Sequence, residues 1–101
     1  DDEFKLLLDK YKYAVRFPEQ SQIQYRDKAE HFLTALNTAL EHHHYLISDH
    51  ISLADIAILP FIRQFSMVNI HWFNETPYLH LQQWLKGFIN SSLFQRIMEK
   101  P

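Results

Sequence analysis

The stretch I-S-L-A-D-I-A-I-L-P-F-I-R-Q-F, from Ile51 to Phe65, decides the predicted fold. Ser52 precedes Asp55 by three residues at the start of an apolar run, which is the pattern of a helix capping box. In such a box the serine hydroxyl accepts from the backbone N–H of the acid, and the carboxylate accepts from the serine N–H. Ile51 and Ile56 stand where a hydrophobic staple would pack across this cap. The stretch therefore predicts a helix that starts directly after Ser52.

The predicted helix has no polar face for its first two turns, and a helix that is apolar all round is expected to be buried on all sides. It is too short to span a bilayer, so it is interpreted as the central helix of a bundle. Pro60 lies inside it and should remove the hydrogen bond to the Ile56 carbonyl, at a cost of about 3 kcal/mol and with a kink. The apolar residues that define this helix are Leu53, Ala54, Ile56, Ala57, Ile58, Leu59, Phe61 and Ile62.

Apolar residues at helical spacing predict further helices on both sides of this one. The first covers residues 1–16 and ends before Phe17-Pro18, because a residue before proline avoids the α region. The second runs from about Ile23 to His43, antiparallel to the first. A fourth starts at Thr76-Pro77, and a short fifth follows Ser91 or Ser92. The predicted buried residues are Phe4, Leu7, Leu8, Tyr11 and Val15 in the first helix; Ala29, Phe32, Leu33, Leu36 and Leu40 in the second; Leu81, Trp84, Leu85 and Phe88 in the fourth; and Leu93, Phe94, Ile97 and Met98 in the fifth.

Composition agrees with an all-α bundle of about five helices in one domain, residues 1–101. The hydrophobic fraction of 47% excludes a disordered chain, and a single glycine argues against an all-β fold. The absence of cysteine fits the reducing cytoplasm and excludes a thiolate nucleophile. A net charge of −2 predicts no nucleic-acid partner, and the sequence contains no long apolar span that would predict a membrane segment.

The central stretch resembles the start of the core helix in the all-helical C-terminal domain of soluble glutathione transferases. There S/T-x-A-D-x-A is followed by apolar residues and often a proline, and Ser52, Ala54, Asp55, Ala57 and Pro60 match that pattern. The run from Pro60 to Phe65 is similar to a bacterial branch of the family. The segment from Pro77 to Leu85 also resembles the penultimate helices of these domains. Ser48-Asp49-His50 departs from the family, which usually has glycine in this turn.

The resemblance implies that two domains together form the active protein. In this family an N-terminal thioredoxin-like domain binds glutathione and activates its thiol, and none of its features are found in this sequence. The chain alone is therefore predicted to be inactive, with no cofactor of its own and glutathione as co-substrate of the full-length protein. The helix that begins at the chain start suggests a piece of something longer. The resemblance also implies a homodimer through the first two helices and a small apolar electrophile as substrate.

Candidate site residues follow from the same resemblance, because the first and third helices flank the electrophile cleft in this family. The polar and amphipathic residues on them are Tyr11, Lys12, Tyr13, Arg16, Arg63 and Gln64. Arg63 directly follows the apolar run, so it either pairs with a carboxylate or faces the domain interface; a structural ion pair or a snorkelling side chain explains it equally well. Asp55 is interpreted as a capping residue, and no residue of this chain is expected to be catalytic.

His42, His43 and His44 form the one cluster that suggests metal chemistry. Consecutive helical residues point in different directions, whereas helical zinc pairs need i, i+4 spacing, so a solvated helix end is expected and no metal site. Three functions then stay open: the C-terminal half of a glutathione transferase, a non-catalytic docking module of the same fold, or an unrelated scaffolding bundle.

Overall fold

The computed structural model describes residues 2–91, which contain five α-helices, one 3-10 turn at Ala14–Arg16 and no β-strand. The predicted all-α class is therefore confirmed. The expected helix after Ser91 or Ser92 lies outside the described residues. The five helices are α1 (Asp2–Lys12), α2 (Gln22–His42), α3 (Leu53–Val68), α4 (Ile70–Glu75) and α5 (Leu79–Ile89).

Helices α1 and α2 form the predicted antiparallel hairpin. Near the start of α1 the Phe4 ring lies 5.6 Å from the Phe32 ring, in the middle of α2. At the other end of the hairpin Gln22 donates its side-chain amide to the Tyr11 carbonyl over 3.1 Å. The Tyr25 hydroxyl also donates to the carbonyl of Phe17, over 2.6 Å. These two bonds fix the turn between α1 and α2 through side chains of α2.

The prediction that the first helix continues to residue 16 is wrong. The last α-type bond runs from the Tyr13 N–H to the Asp9 carbonyl, and the next one, from the Arg16 N–H to the Tyr13 carbonyl, spans only three residues. The chain thus tightens into a 3-10 turn before Pro18, where an α conformation is disfavoured. This change of period removes Val15 from the buried stripe, and its side chain is 96% exposed.

Helix α3 supplies the centre of the core through its inner side. Leu59, Ile62 and Phe65 are buried, and the Phe65 ring lies 4.8 Å from the ring of Tyr11 and 6.3 Å from that of Trp72. The expectation that α3 is buried on all sides is wrong, because among the helices of residues 2–91 only α1, α4 and α5 pack closely against it. Leu53 is 83% exposed and Ala57 is also exposed. The helix continues through Pro60 without interruption.

Two elements near the end of the described chain differ from prediction. Helix α4 was not predicted: it has only six residues, and Asn69 caps it by accepting from the Trp72 N–H over 3.1 Å. Helix α5 begins at Leu79 rather than at Thr76-Pro77. Asn37 of α2 caps it from a distance, because its side-chain oxygen accepts from the Leu81 N–H over 3.0 Å.

Candidate functional site

The Asp55 carboxylate is the most heavily bonded polar group in the described chain, and it is fully buried. One oxygen, Oδ2, accepts from the Ser52 backbone N–H over 3.0 Å and from the Ser52 hydroxyl over 2.8 Å. The other, Oδ1, accepts from the Leu46 N–H over 3.0 Å and from the Trp84 indole N–H over 2.9 Å. One side chain therefore joins the start of α3, the α2–α3 connection and α5.

This arrangement assigns Asp55 a structural role. Four donors surround its two oxygens, so neither oxygen is available to take up a substrate proton. The carboxylate half of the predicted capping box is present, while the Ser52 hydroxyl turns its proton toward the same carboxylate. Ile51 is 41% exposed and Ile56 is half-buried, so the hydrophobic staple between them stays a prediction.

Two of the predicted cleft residues meet at an aromatic ring. The Lys12 ammonium lies 5.2 Å from the centre of the Tyr13 ring, and the Arg16 guanidinium lies 5.0 Å from it. All three side chains are exposed. Two cations beside one aromatic ring give this end of α1 a positive and partly apolar surface.

Gln64 and Lys12 lie on the same side of the bundle. On α3, Leu53, Ala57, Phe61 and Gln64 follow one another at helical spacing along one side. The Lys5 ammonium lies 4.7 Å from the Phe61 ring centre, and Lys12 stands two turns beyond Lys5 on the same face of α1. The exposed side of α3 and the lysine face of α1 are therefore neighbours.

Tyr11 and Arg63 are placed apart from this surface. The Tyr11 ring is 1% exposed and packs on Phe65, so it belongs to the core. Burial raises the pKa of its hydroxyl, and the nearby Arg26 guanidinium opposes this rise. Arg63 lines a separate cavity of about 290 Å³ between α3, α4 and α5, whose walls include Met67, Ile70 and Phe73. The structure thus separates Arg63 from Lys12 and Arg16.

Sequence reasoning missed Arg26, whose guanidinium lies 4.2 Å from the centre of the Trp72 ring. It also missed Glu30, which accepts from the Tyr78 hydroxyl over 2.7 Å and, after burial, is a further cause of the raised Tyr78 pKa. Both residues are polar positions on α2 beside its apolar stripe. Their partners lie more than 40 residues away in sequence, so no local spacing indicates them.

The histidine cluster lies at a cavity of about 480 Å³ between the end of α2, the following connection and α5. His80 of α5 joins the three consecutive histidines there, and Asp49, which accepts from the His44 N–H over 3.0 Å, also lines the cavity. In the part of the chain that the structure describes, no three histidine, cysteine or acidic side chains are arranged so that they could hold a metal ion. Within residues 2–91, no helix combines the length and apolarity that a membrane crossing requires.

Comparison with known proteins gives one match. Searches of curated proteins and of solved structures returned none. The sequence profile described as "Glutathione S-transferase, C-terminal domain" matches residues 4–92, which contain α2 to α5, most of α1 and the Ser52–Asp55 motif. With most of its length matched to that profile and an all-helical fold in agreement with it, this chain belongs to the glutathione S-transferase C-terminal domain family.

Proposed function

We propose that this chain is the electrophile-binding and dimer-forming half of a glutathione transferase. An N-terminal thioredoxin-like domain would supply glutathione with its thiol activated, and the reaction would be thiolate addition to, or substitution on, a small apolar electrophile. The observation that supports this most strongly is the uncovered apolar side of α3 in a chain of this family. The activation of the thiol would take place entirely in the other domain.

The exposed side of α3 is the surface we assign to the N-terminal domain. Leu53 and Ala57 are exposed one turn apart on the same side of α3, and adjacent exposed apolar side chains suit a contact surface. Gln64 stands at the far end of the same side. A domain seated on Leu53 and Ala57 would therefore have an edge near Gln64 and the lysine face of α1.

The electrophile would bind at that edge, between the incoming domain and the end of α1. Lys12 and Arg16 offer positive charge to a nitro, carbonyl or halide group, and the Tyr13 ring offers an apolar face to an aromatic electrophile. Arg63 would not contact the same ligand, because its cavity lies between α3, α4 and α5. Tyr11 would support the site from the core beneath it.

The experiment is steady-state conjugation of glutathione to chlorodinitrobenzene by the full-length polypeptide. Lys12→Ala and Arg16→Ala are expected to raise the KM for the electrophile about three- to tenfold, with the KM for glutathione unchanged, because each removes an exposed charge contact worth about 1 kcal/mol. Lys86→Ala on α5 is the matched control and should leave both constants unchanged. An unchanged electrophile KM in the double variant would refute the assignment of the cleft.

The dimer contact is proposed for the groove between α1 and α2. A cavity of about 510 Å³ there is lined by Leu6, Leu7 and Phe32, with Glu3 and the amines of Lys10 and Lys28 around them. Leu6 is 52% exposed. An apolar centre with charges of both signs at its rim suits a two-fold contact, in which each copy presents the same surface.

The cellular setting is proposed from the sequence. A chain without cysteine suits a reducing compartment, which supports a cytoplasmic protein. The run from Pro60 to Phe65 supports a bacterial branch of the family.

A further inference from the structure

Gly87, the one glycine of the chain, has no structural explanation within the described residues. It lies inside α5, where glycine is the least favourable residue after proline. Its φ is not positive, so the backbone does not require it. A Cβ at this position would meet no atom within 4 Å, so close packing does not require it either. A glycine of this kind is expected where a bound group approaches the helix backbone closely.

Gly87 lines an apolar groove of about 600 Å³ between α5 and the α2–α3 connection. Trp84 and Phe88, which line the same groove, lie on the same side of α5 as Gly87. The Phe88 ring lies 5.2 Å from the ring of Trp84 and 5.9 Å from that of Tyr45, which belongs to the opposite wall. Ile51 completes the apolar lining. Trp84 and Phe88 are 6% and 5% exposed and Tyr45 is half-buried, so Tyr45 offers most of the aromatic surface in the groove.

The described residues that line the groove carry a net negative charge. Among these described residues, Asp49 is the single acid, His44 is the single histidine, and there is no lysine or arginine. The Asp49 side chain is exposed, and its Oδ1 accepts from the His44 N–H over 3.0 Å. The cavity beside the groove adds the carboxylate of Glu41. A ligand with positive charge would therefore be favoured over a neutral or negative one of the same shape.

From these observations we infer that the groove at Gly87 is a binding site for a small planar aromatic cation, separate from the proposed electrophile cleft. The flat ring lies over the Gly87 backbone beside Tyr45 and Phe88, and the positive charge faces Asp49. Aromatic faces attract cations, and a ring stacked on them needs the space that any side chain at position 87 would fill.

The test follows the NMR signal of the Gly87 amide. Protein labelled with ¹⁵N only in glycine gives one amide signal, and N-methylquinolinium is added at pH 7.5. We expect this signal to shift to saturation, with a Kd on the order of 1 mM or below. The anion 2-naphthoate, of similar size and shape, is expected to give no saturable shift.

Two variants with matched controls locate the site. Asp49→Asn should weaken cation binding about fivefold or more, whereas Asp27→Asn, which removes an exposed acid of α2, should not change it. Gly87→Leu should abolish binding in calorimetric titration, and Thr38→Leu, at an exposed position of α2, should leave it intact.

Three results would overturn the proposal: no saturable shift with the cation, equal binding of the anion, or unchanged binding in Asp49→Asn. A Gly87 signal that shifts with protein concentration alone would also overturn it, because a second copy of the chain would then occupy the groove. Marked destabilisation by Gly87→Leu without cation binding would overturn it in favour of a segment of the chain itself.

Discussion

At the scale of single residues, Asp55 determines how the chain is held together. A carboxylate without solvent contact is costly unless it is fully hydrogen-bonded, and here four donors surround it. Three of its bonds reach backbone or hydroxyl groups at the start of α3 and in the preceding connection. The fourth, from the Trp84 indole, ties α5 to the same point.

Replacement of Asp55 by alanine is expected to lower the free energy of unfolding by about 3 kcal/mol or more, because the Leu46 and Trp84 N–H groups would be left buried without an acceptor. Ser52→Ala should cost about 1 kcal/mol, the usual value for a lost helix cap. Asp27→Ala, at an exposed position, should stay within about 0.5 kcal/mol of wild type. Chemical denaturation measures all three. Equal stability of Asp55→Ala and Asp27→Ala would remove Asp55 from this role.

The local part of this arrangement was predictable and the remote part was not. Ser52 and Asp55 are three residues apart, so the capping pattern indicates their contact directly. Leu46 precedes Asp55 by nine residues in an irregular connection, and Trp84 follows it by 29. Only the packing of α5 against α3 brings the indole to the carboxylate. Trp84 was correctly predicted to be buried, but its hydrogen bond has no signature in sequence.

At the scale of elements, the ends of the helices depend on contacts from other parts of the chain. The start of α5 shows this, since its cap comes from Asn37 of α2 rather than from its own flanking residues. Gln82 in the same helix donates its buried amide to the carbonyls of Phe73 and Thr76, which closes the end of α4. Apolar periodicity predicts where a helix runs, but its limits are set by such polar contacts.

Asn37→Ala is expected to lower the free energy of unfolding by about 1 kcal/mol, because the Leu81 N–H at the first turn of α5 loses its acceptor. Asn37→Asp keeps an acceptor and places negative charge near a helix N-terminus, so it should stay within about 0.5 kcal/mol of wild type. Urea denaturation of the two variants tests this. A loss in Asn37→Asp as large as in Asn37→Ala would contradict the remote cap.

The differences between the predicted and observed ends of the helices have the same physical origin. Val15 fits the apolar spacing of α1, yet the change to a 3-10 turn exposes it. Helix α4 has fewer than two full turns, so its apolar residues show no clear period, and Phe73 is buried without a pattern that predicts the helix. The long helices α2 and α3 were predicted to within a few residues because several turns of apolar spacing define them.

At the scale of the whole molecule, the described residues leave apolar side chains exposed on α3 and between α1 and α2, besides those in the groove at Gly87. In the proposed dimer, a second copy of the chain covers the surface between α1 and α2. Leu6→Glu is expected to weaken dimerisation of the full-length protein at least about tenfold, because a two-fold contact would bring the new carboxylates of both copies together beside Glu3. Sedimentation equilibrium measures this.

Leu79→Glu is the matched control for this prediction, since Leu79 is a similarly exposed leucine (60%) on α5. It should leave the dimer unchanged. A wild-type association constant in Leu6→Glu would show that the α1–α2 groove is not the contact.

The apolar side of α3 was not predicted as an exposed surface, because an apolar sequence indicates burial without indicating what covers it. The sequence predicts that Leu53 and Ala57 are buried, whereas the structure exposes both; we propose that the N-terminal domain covers them. Residue roles in the electrophile cleft came only from family resemblance. The structure adds that Lys12, Arg16 and Tyr13 are neighbours and that Arg63 is elsewhere.

We propose that this domain takes part in glutathione transfer only when it is joined to a thiol-activating partner domain. The rate of glutathione conjugation to chlorodinitrobenzene, measured for the full-length polypeptide and for the 101-residue chain at equal concentration, tests this directly. We expect saturable conjugation by the full-length protein and only the uncatalysed rate with the chain alone. Equal catalysis by both, or a full-length protein that neither binds glutathione nor conjugates it, would refute the proposal.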